Sequence, residues 1–169
     1  YDGYEFKRFF NNPNDPGSIK GLQVWSLFED RKGQIWAPTS PTNLNAYDPA
    51  TRSFRTYEYK HLIEHPANVE IGITAICEDH QGRIYFGVST NFGETIYSSI
   101  LYLDEGTVDI QRFFVPDSVD SENVLNMTTD PEGNIWIITY SGLFKIDTLH
   151  RWNKLSDWNR IFASVGDSP

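Results

Sequence analysis

The chain of 169 residues carries 14 Lys and Arg against 23 Asp and Glu, a net charge of −9, with no basic run. That balance excludes nucleic acid and anionic lipid as partners, because both are held by clustered Lys and Arg. Hydrophobic residues make up 39% and aromatic residues 15%, enough for the packed core of about one domain, and one Met and one Cys leave the aromatics to fill it.

The first candidate element is Tyr4–Phe10, which alternates well enough for a strand before Asn11–Ser18 stops it with turn residues. Its relatives in the sequence are Ser53–Tyr59 and Ile110–Val115. It therefore reads as the outer strand of a unit whose first three strands are missing or supplied elsewhere. A complete unit of four strands follows, at Gln23–Phe28, Gln34–Ala37, Leu44–Tyr47 and Ser53–Tyr59. The second runs Ile73–Cys77, Arg83–Gly87, Ile100–Leu103 and Val108–Val115. The third runs Val124–Thr128, Asn134–Thr139, Leu143–Ile146 and Arg151–Leu155. Each third strand ends on an acid, namely Asp48, Asp104 or Asp147. Cys77 lies in an apolar run and reads as a small buried side chain. The residues from Asp157 to Pro169 fit no repeat, and no stretch approaches the length of a membrane span.

One turn recurs at intervals of about 50 residues, the period of a propeller or solenoid. It is Asp30-Arg31-Lys32-Gly33-Gln34-Ile35-Trp36, then Asp79-His80-Gln81-Gly82-Arg83-Ile84-Tyr85, then Asp130-Pro131-Glu132-Gly133-Asn134-Ile135-Trp136. Asp at the head of a tight turn accepts hydrogen bonds from backbone N–H groups two residues on. Gly three places later supplies a positive φ. Ile and Trp or Tyr then point to opposite faces of the following strand. Asp30, Gly33, Trp36, Asp79, Gly82, Tyr85, Asp130, Gly133 and Trp136 are thus expected to set turns and packing. Four short strands per repeat joined by tight turns make a propeller blade. The expected fold is all-β, a single partial β-propeller over residues 1–169. It has three complete four-stranded blades (about 23–59, 73–115 and 124–155) plus one outer strand at 4–10.

Val24 to Trp36, followed by Leu44 to Pro49, resembles the two-component regulator propeller repeat, and Ile135 to Asp147 fits it more closely still. The middle unit departs from the pattern, with Tyr85-Phe86-Gly87 in place of Trp-x-x-Thr. The resemblance implies the periplasmic sensor region of a hybrid two-component system of Bacteroides-like organisms, ahead of a histidine kinase, and a response to glycan fragments. It also implies a segment of a longer sensor, or several copies completing a ring. The partners expected are therefore an oligosaccharide and the remaining blades of the same sensor or further copies of the chain. No nucleic acid, membrane insertion or cofactor is expected.

Other patterns read as structure. His61-Leu62-Ile63-Glu64-His65 has the spacing of an inverted zinc-peptidase motif, but Pro66 ends any helix at once. The Asp turns are similar to the Asp-boxes of sialidases, without the arginine cluster such enzymes need. No catalytic constellation is found, so a non-catalytic role is expected. Chain direction places the loops between second and third strands on the rim opposite the Asp turns. There Ser89 to Ser99 mixes aromatics with hydroxyls, an amide and a carboxylate, the chemistry of a sugar site. Asn91, Phe92, Glu94, Tyr97 and Tyr140 are the candidate ligand contacts.

Overall fold

The computed structural model describes residues 7–66, 69–90, 98–113 and 123–157. The fold is all-β: three four-stranded antiparallel sheets, each a blade with its strands in chain order. They fall in two compact units, residues 1–58 and 59–169.

The first unit holds β1 (Phe28–Glu29), β2 (Ile35–Thr39), β3 (Asn43–Asp48) and β4 (Ser53–Glu58). Register pairs Trp36 with Ala46, and Leu44 with Tyr57. One face of the sheet therefore carries Trp36, Leu44, Ala46 and Tyr57, all buried. The other carries Asn45, fully buried and fully bonded: its amide donates to Lys20 O at 3.0 Å and to Thr39 Oγ1 at 3.0 Å. Its Oδ1 accepts from Lys20 N at 3.0 Å and Thr56 Oγ1 at 2.9 Å. A buried amide so satisfied stabilises rather than costs. It pins the segment before β1 across the sheet.

Two expectations for this unit change. The inner strand foreseen at Gln23–Phe28 shrinks to Phe28–Glu29, preceded by one bridge between Val24 and Thr39. Val24, Trp25 and Leu27 are 45%, 54% and 70% exposed. Of the outer strand foreseen at Tyr4–Phe10, Tyr4–Phe6 lies outside the described residues and Lys7–Phe10 is not in a strand. Phe9 nonetheless packs edge-on against Tyr47 and Phe54, at 5.0 and 5.2 Å between ring centres.

The second unit holds β5 (Ile71–Glu78), β6 (Ile84–Thr90), β7 (Ser98–Leu103) and β8 (Gln111–Phe113), then β9 (Val124–Thr129), β10 (Ile135–Thr139), β11 (Gly142–Ile146) and β12 (Trp152–Asp157). Every residue of β6 is buried, as a strand covered on both faces must be. One core joins the two sheets: Ala75, Cys77, Tyr85, Ile100 and Phe113 face Val124, Met127, Ile137, Phe144 and Ile146. The sheets close tightly over Gly87, where a Cβ would stand 2.6 Å from Val124 Cγ1. Thr74 Oγ1 donates to Val124 O at 2.6 Å, and Val124 N donates to Ser89 Oγ at 3.1 Å. Asp157, which fits no sequence repeat, ends β12 opposite Gly142; residues 158–169 lie outside the described residues.

Candidate functional site

Each blade has two ends, and they differ chemically. At one end sits the repeated turn. Asp30 Oδ1 accepts from Lys32 N and Gln34 N, both at 2.9 Å, while Oδ2 accepts from the Trp36 indole at 2.9 Å. Gly33 has φ +77° and donates its N–H to Asp30 O at 2.9 Å. Asp130 repeats this with Asn134 N at 2.8 Å and the Trp136 indole at 2.7 Å, and Gly133 has φ +84°. Partial burial opposes ionisation of Asp130, but the hydrogen bonds from Trp136 and Asn134, with Lys145 nearby, hold its carboxyl down at about 2. Asp79 accepts from Gln81 N and Arg83 N at 2.8 and 3.0 Å, and Gly82 has φ +82°.

In this blade Tyr85 stands where the others have Trp, and Arg83 joins it. Its Nε donates to Asp104 at 2.7 Å and its Nη1 to Tyr85 Oη at 3.2 Å. Burial chiefly raises the Tyr85 phenol, opposed by that Arg83 hydrogen bond. All these carboxylates are engaged by backbone, indole or guanidinium groups, an arrangement that fixes turns and strands.

Asp147, which follows the third strand of the third blade, builds a similar turn. Asp147 Oδ1 accepts from Leu149 N and Arg151 N at 2.9 Å, and His150 takes φ +61° where the other turns place Gly. The sequence signalled the acid but not the turn, because His150 hides the glycine mark. Another feature without a sequence signal is Asn45, an ordinary polar residue until its burial is known.

At the opposite end lie the loops between second and third strands. Asn91, Phe92, Glu94 and Tyr97 lie outside the described residues. Tyr140 is 66% exposed at the β10–β11 hairpin. Beneath it, buried Thr139 Oγ1 accepts from Ser141 N and Gly142 N at 3.2 and 3.3 Å, which fixes the hairpin and turns Tyr140 outward. At the corresponding end of the first unit a hollow of about 600 Å³ opens, lined by Asn12, Asp15, Lys20, Leu22, Pro41 and Asn43. A second hollow, about 530 Å³, follows outer strand β4 past Asp48, Thr51, Arg55 and Tyr57. His61 falls in a 3-10 turn, Lys60–Leu62. Among the described residues no three His, Cys, Asp or Glu are grouped to hold a metal ion.

Residues 70–90, spanning β5, the Asp79 turn and β6, match the family model described as Two component regulator propeller. That hairpin of the second blade is similar to a two-component regulator propeller repeat. Two solved structures similar to this chain are of the extracellular domain of BT4673 from B. thetaiotaomicron, described in one as a hybrid two component system and in the other as a one component system. Their TM-scores are 0.59 and 0.62 at 15% and 14% identity. The match covers 80% and 89% of this chain but 16% and 18% of theirs, so the chain spans under a fifth of that domain. YCF48 from Cyanidioschyzon merolae is similar at a TM-score of 0.50 and 14% identity, over 79% of this chain and 40% of that one. At such identities the likeness is one of fold. No curated protein matches the sequence. Among the described residues no helix is long and apolar enough to cross a membrane.

Proposed function

We propose that this chain is a ligand-sensing segment of the extracytoplasmic, periplasmic part of a two-component sensor, and that it is not itself a catalyst. The observation that carries the reading is the regulator propeller repeat at residues 70–90, on a fold similar to an extracellular domain of a two component system. The carboxylates of the Asp turns are occupied by structural hydrogen bonds, which leaves the opposite rim for recognition. The ligand class is an oligosaccharide, met by Asn91, Phe92, Glu94 and Tyr97 of the long second-blade loop and by Tyr140. An exposed tyrosine on a pinned hairpin offers a flat apolar face with a hydroxyl at its edge, which suits a sugar ring. Other blades or further copies of the chain complete the sensing surface, and the ligand acts by favouring one arrangement over another.

Thermal unfolding of the chain against a panel of oligosaccharides tests the reading. A true ligand at a hundred times its Kd stabilises by about 2.7 kcal/mol, readily seen as a shift in Tm. The shift is expected to vanish in Tyr140→Ala. If no saccharide shifts Tm, or Tyr140→Ala leaves the shift intact, the ligand class or the site is wrong. Turnover of a glycan would instead favour an enzyme.

A further inference from the structure

The hollow of about 600 Å³ in the first unit falls within the range of small-molecule sites, about 300–1,000 Å³. Its walls are held by hydrogen bonds outside the sheet ladder. One wall is the segment at Lys20–Leu22. Lys20 N donates to Asn45 Oδ1 at 3.0 Å, and Lys20 O accepts from Thr39 Oγ1 at 2.6 Å and Asn45 Nδ2 at 3.0 Å. Thr39 and Asn45 are 4% and 0% exposed, so two buried side chains fix both backbone groups of Lys20. Gly21 follows at φ +100°, where a Cβ would collide with Thr39 Oγ1 and Ser40 O. Leu22 N then donates to Ser40 O at 3.2 Å.

The other wall is the turn at 11–18. It is exposed from Asn11 to Pro16 and yet closed on itself. Ser18 Oγ accepts from Asn12 N at 3.0 Å and donates towards Asn12 O and Asp15 O at 2.9 and 2.8 Å. Asp15 N donates to Asn12 O at 3.0 Å, and Ser18 N to Asp15 O at 3.1 Å. Asp15 Oδ1 accepts from Gly17 N at 2.9 Å, which aims the carboxylate.

Two opposite charges thus stand on fixed backbone in the lining of one hollow. Among the described residues neither Asp15 nor Lys20 forms an ion pair, with the other or elsewhere. The rest of the lining is uncharged, with Pro13, Leu22 and Pro41 as its apolar part and Asn43 among its amides. Leu22 is 90% exposed, so its side chain has nearly all its area to give to a ligand.

We propose that this hollow binds a small zwitterion, an α-amino acid with an apolar side chain. Lys20 Nζ takes its carboxylate and Asp15 Oδ2 its ammonium, while its side chain covers Leu22 and the prolines. A simple anion meets Asp15 and a simple cation meets Lys20, so the pair selects a molecule that carries both charges. A neutral ligand would strip water from both without replacing it. Because the walls are hydrogen-bonded before the ligand arrives, little ordering opposes binding. The site lies within the first unit and does not depend on the oligosaccharide met by Tyr140.

Calorimetric titration with L-leucine tests this beside two probes of similar shape. N-acetyl-L-leucine lacks the ammonium, and L-leucinamide lacks the carboxylate. Leucine is expected to bind, and each of the others to bind at least about tenfold more weakly, the scale of one lost charged hydrogen bond. Lys20→Met keeps the stem of the side chain, and Asp15→Asn keeps an oxygen for Gly17 N. Both variants therefore fold as the parent, which circular dichroism checks. Each is expected to weaken leucine at least about tenfold, and in Lys20→Met leucine should bind no better than leucinamide. The proposal is overturned if leucine gives no heat up to about 10 mM, weaker than the weakest useful affinity. It is overturned too if the three probes bind equally, or if leucine binds either variant as it binds the parent. Failure here would leave the oligosaccharide shift of Tm untouched.

Discussion

The Trp36 indole donates its N–H to Asp30 Oδ2 at 2.9 Å, across six residues of chain. Asp30 is 7% exposed and Trp36 3%, so this bond ties the turn at the head of the second strand to the ring that fills the blade face. Asp30→Ala orphans two backbone N–H groups and the indole at once. We expect it to cost about 2–3 kcal/mol, the scale for buried donors deprived of a charged acceptor. Trp36→Phe keeps most of the apolar area and should cost less than Asp30→Ala. Urea unfolding of the two variants checks the order; a loss below about 0.5 kcal/mol for Asp30→Ala would mean that water replaces the carboxylate.

The Asp130 turn makes stability depend on pH. Its folded value, about 2, lies below the ordinary 3.8, so the unfolded chain binds more protons between those values. The stabilisation is present above the ordinary value and lost as pH falls through the folded one. Asp48 and Asp147 are lowered too, chiefly by the backbone N–H groups of Ala50 and Arg151, and act in the same direction. Tm measured from about pH 6 to 2 should fall more steeply in the parent than in Asp130→Asn, with the two curves converging in acid. Parallel curves would show that Asp130 is not held as its hydrogen bonds imply.

The repeat made most of this fold legible. A turn that needs Asp, a positive-φ Gly and an aromatic three places on announces itself in any register. Strand ends were less legible: β6 runs on to Thr90 and β7 begins at Ser98, because serines and threonines that look like loop residues are buried in the ladder. The inner strand at Gln23–Phe28 misled in the other direction. Its apolar residues look like those of a strand, yet they hold a single bridge, between Val24 and Thr39. The rim was hardest to read, since recognition needs no repeating pattern. Tyr140 could be singled out as an aromatic at a hairpin, but Thr139 as the residue that aims it could not, and the hollow beside Lys20 and Asn43 has no sequence mark.

Cys77 should be inert in the native state. Burial first, and the Asp79 charge second, push its thiol up to about 12 from 9.0. Since the thiolate is the reactive form, iodoacetamide at about pH 8 should label the folded chain only as fast as the chain opens. Labelling followed by mass spectrometry should accelerate with urea in step with unfolding. The same shift removes stability as pH rises from about 9 towards 12, because the unfolded thiol ionises first. Labelling at the rate of a free thiol in native buffer would place Cys77 at an opening in the blade interface.

Gly87 and Val124 give the sharpest test of how the second and third blades pack. A Cβ on residue 87 would lie 2.6 Å from Val124 Cγ1 and 2.9 Å from its Cβ, and Val124 is stiff and 1% exposed. Gly87→Ala therefore forces the sheets apart, at an expected cost of about 1–3 kcal/mol. Val124→Ala alone leaves a cavity at a comparable cost, below that of a Leu truncation. Together the two changes set one added methyl against the two that Val124 loses, and the double variant should be more stable than the sum predicts by about 1 kcal/mol or more. Urea unfolding of the four proteins closes the cycle. Strict additivity would mean that the blades accommodate the alanine by moving elsewhere, and that Gly87 is not the point of closest approach.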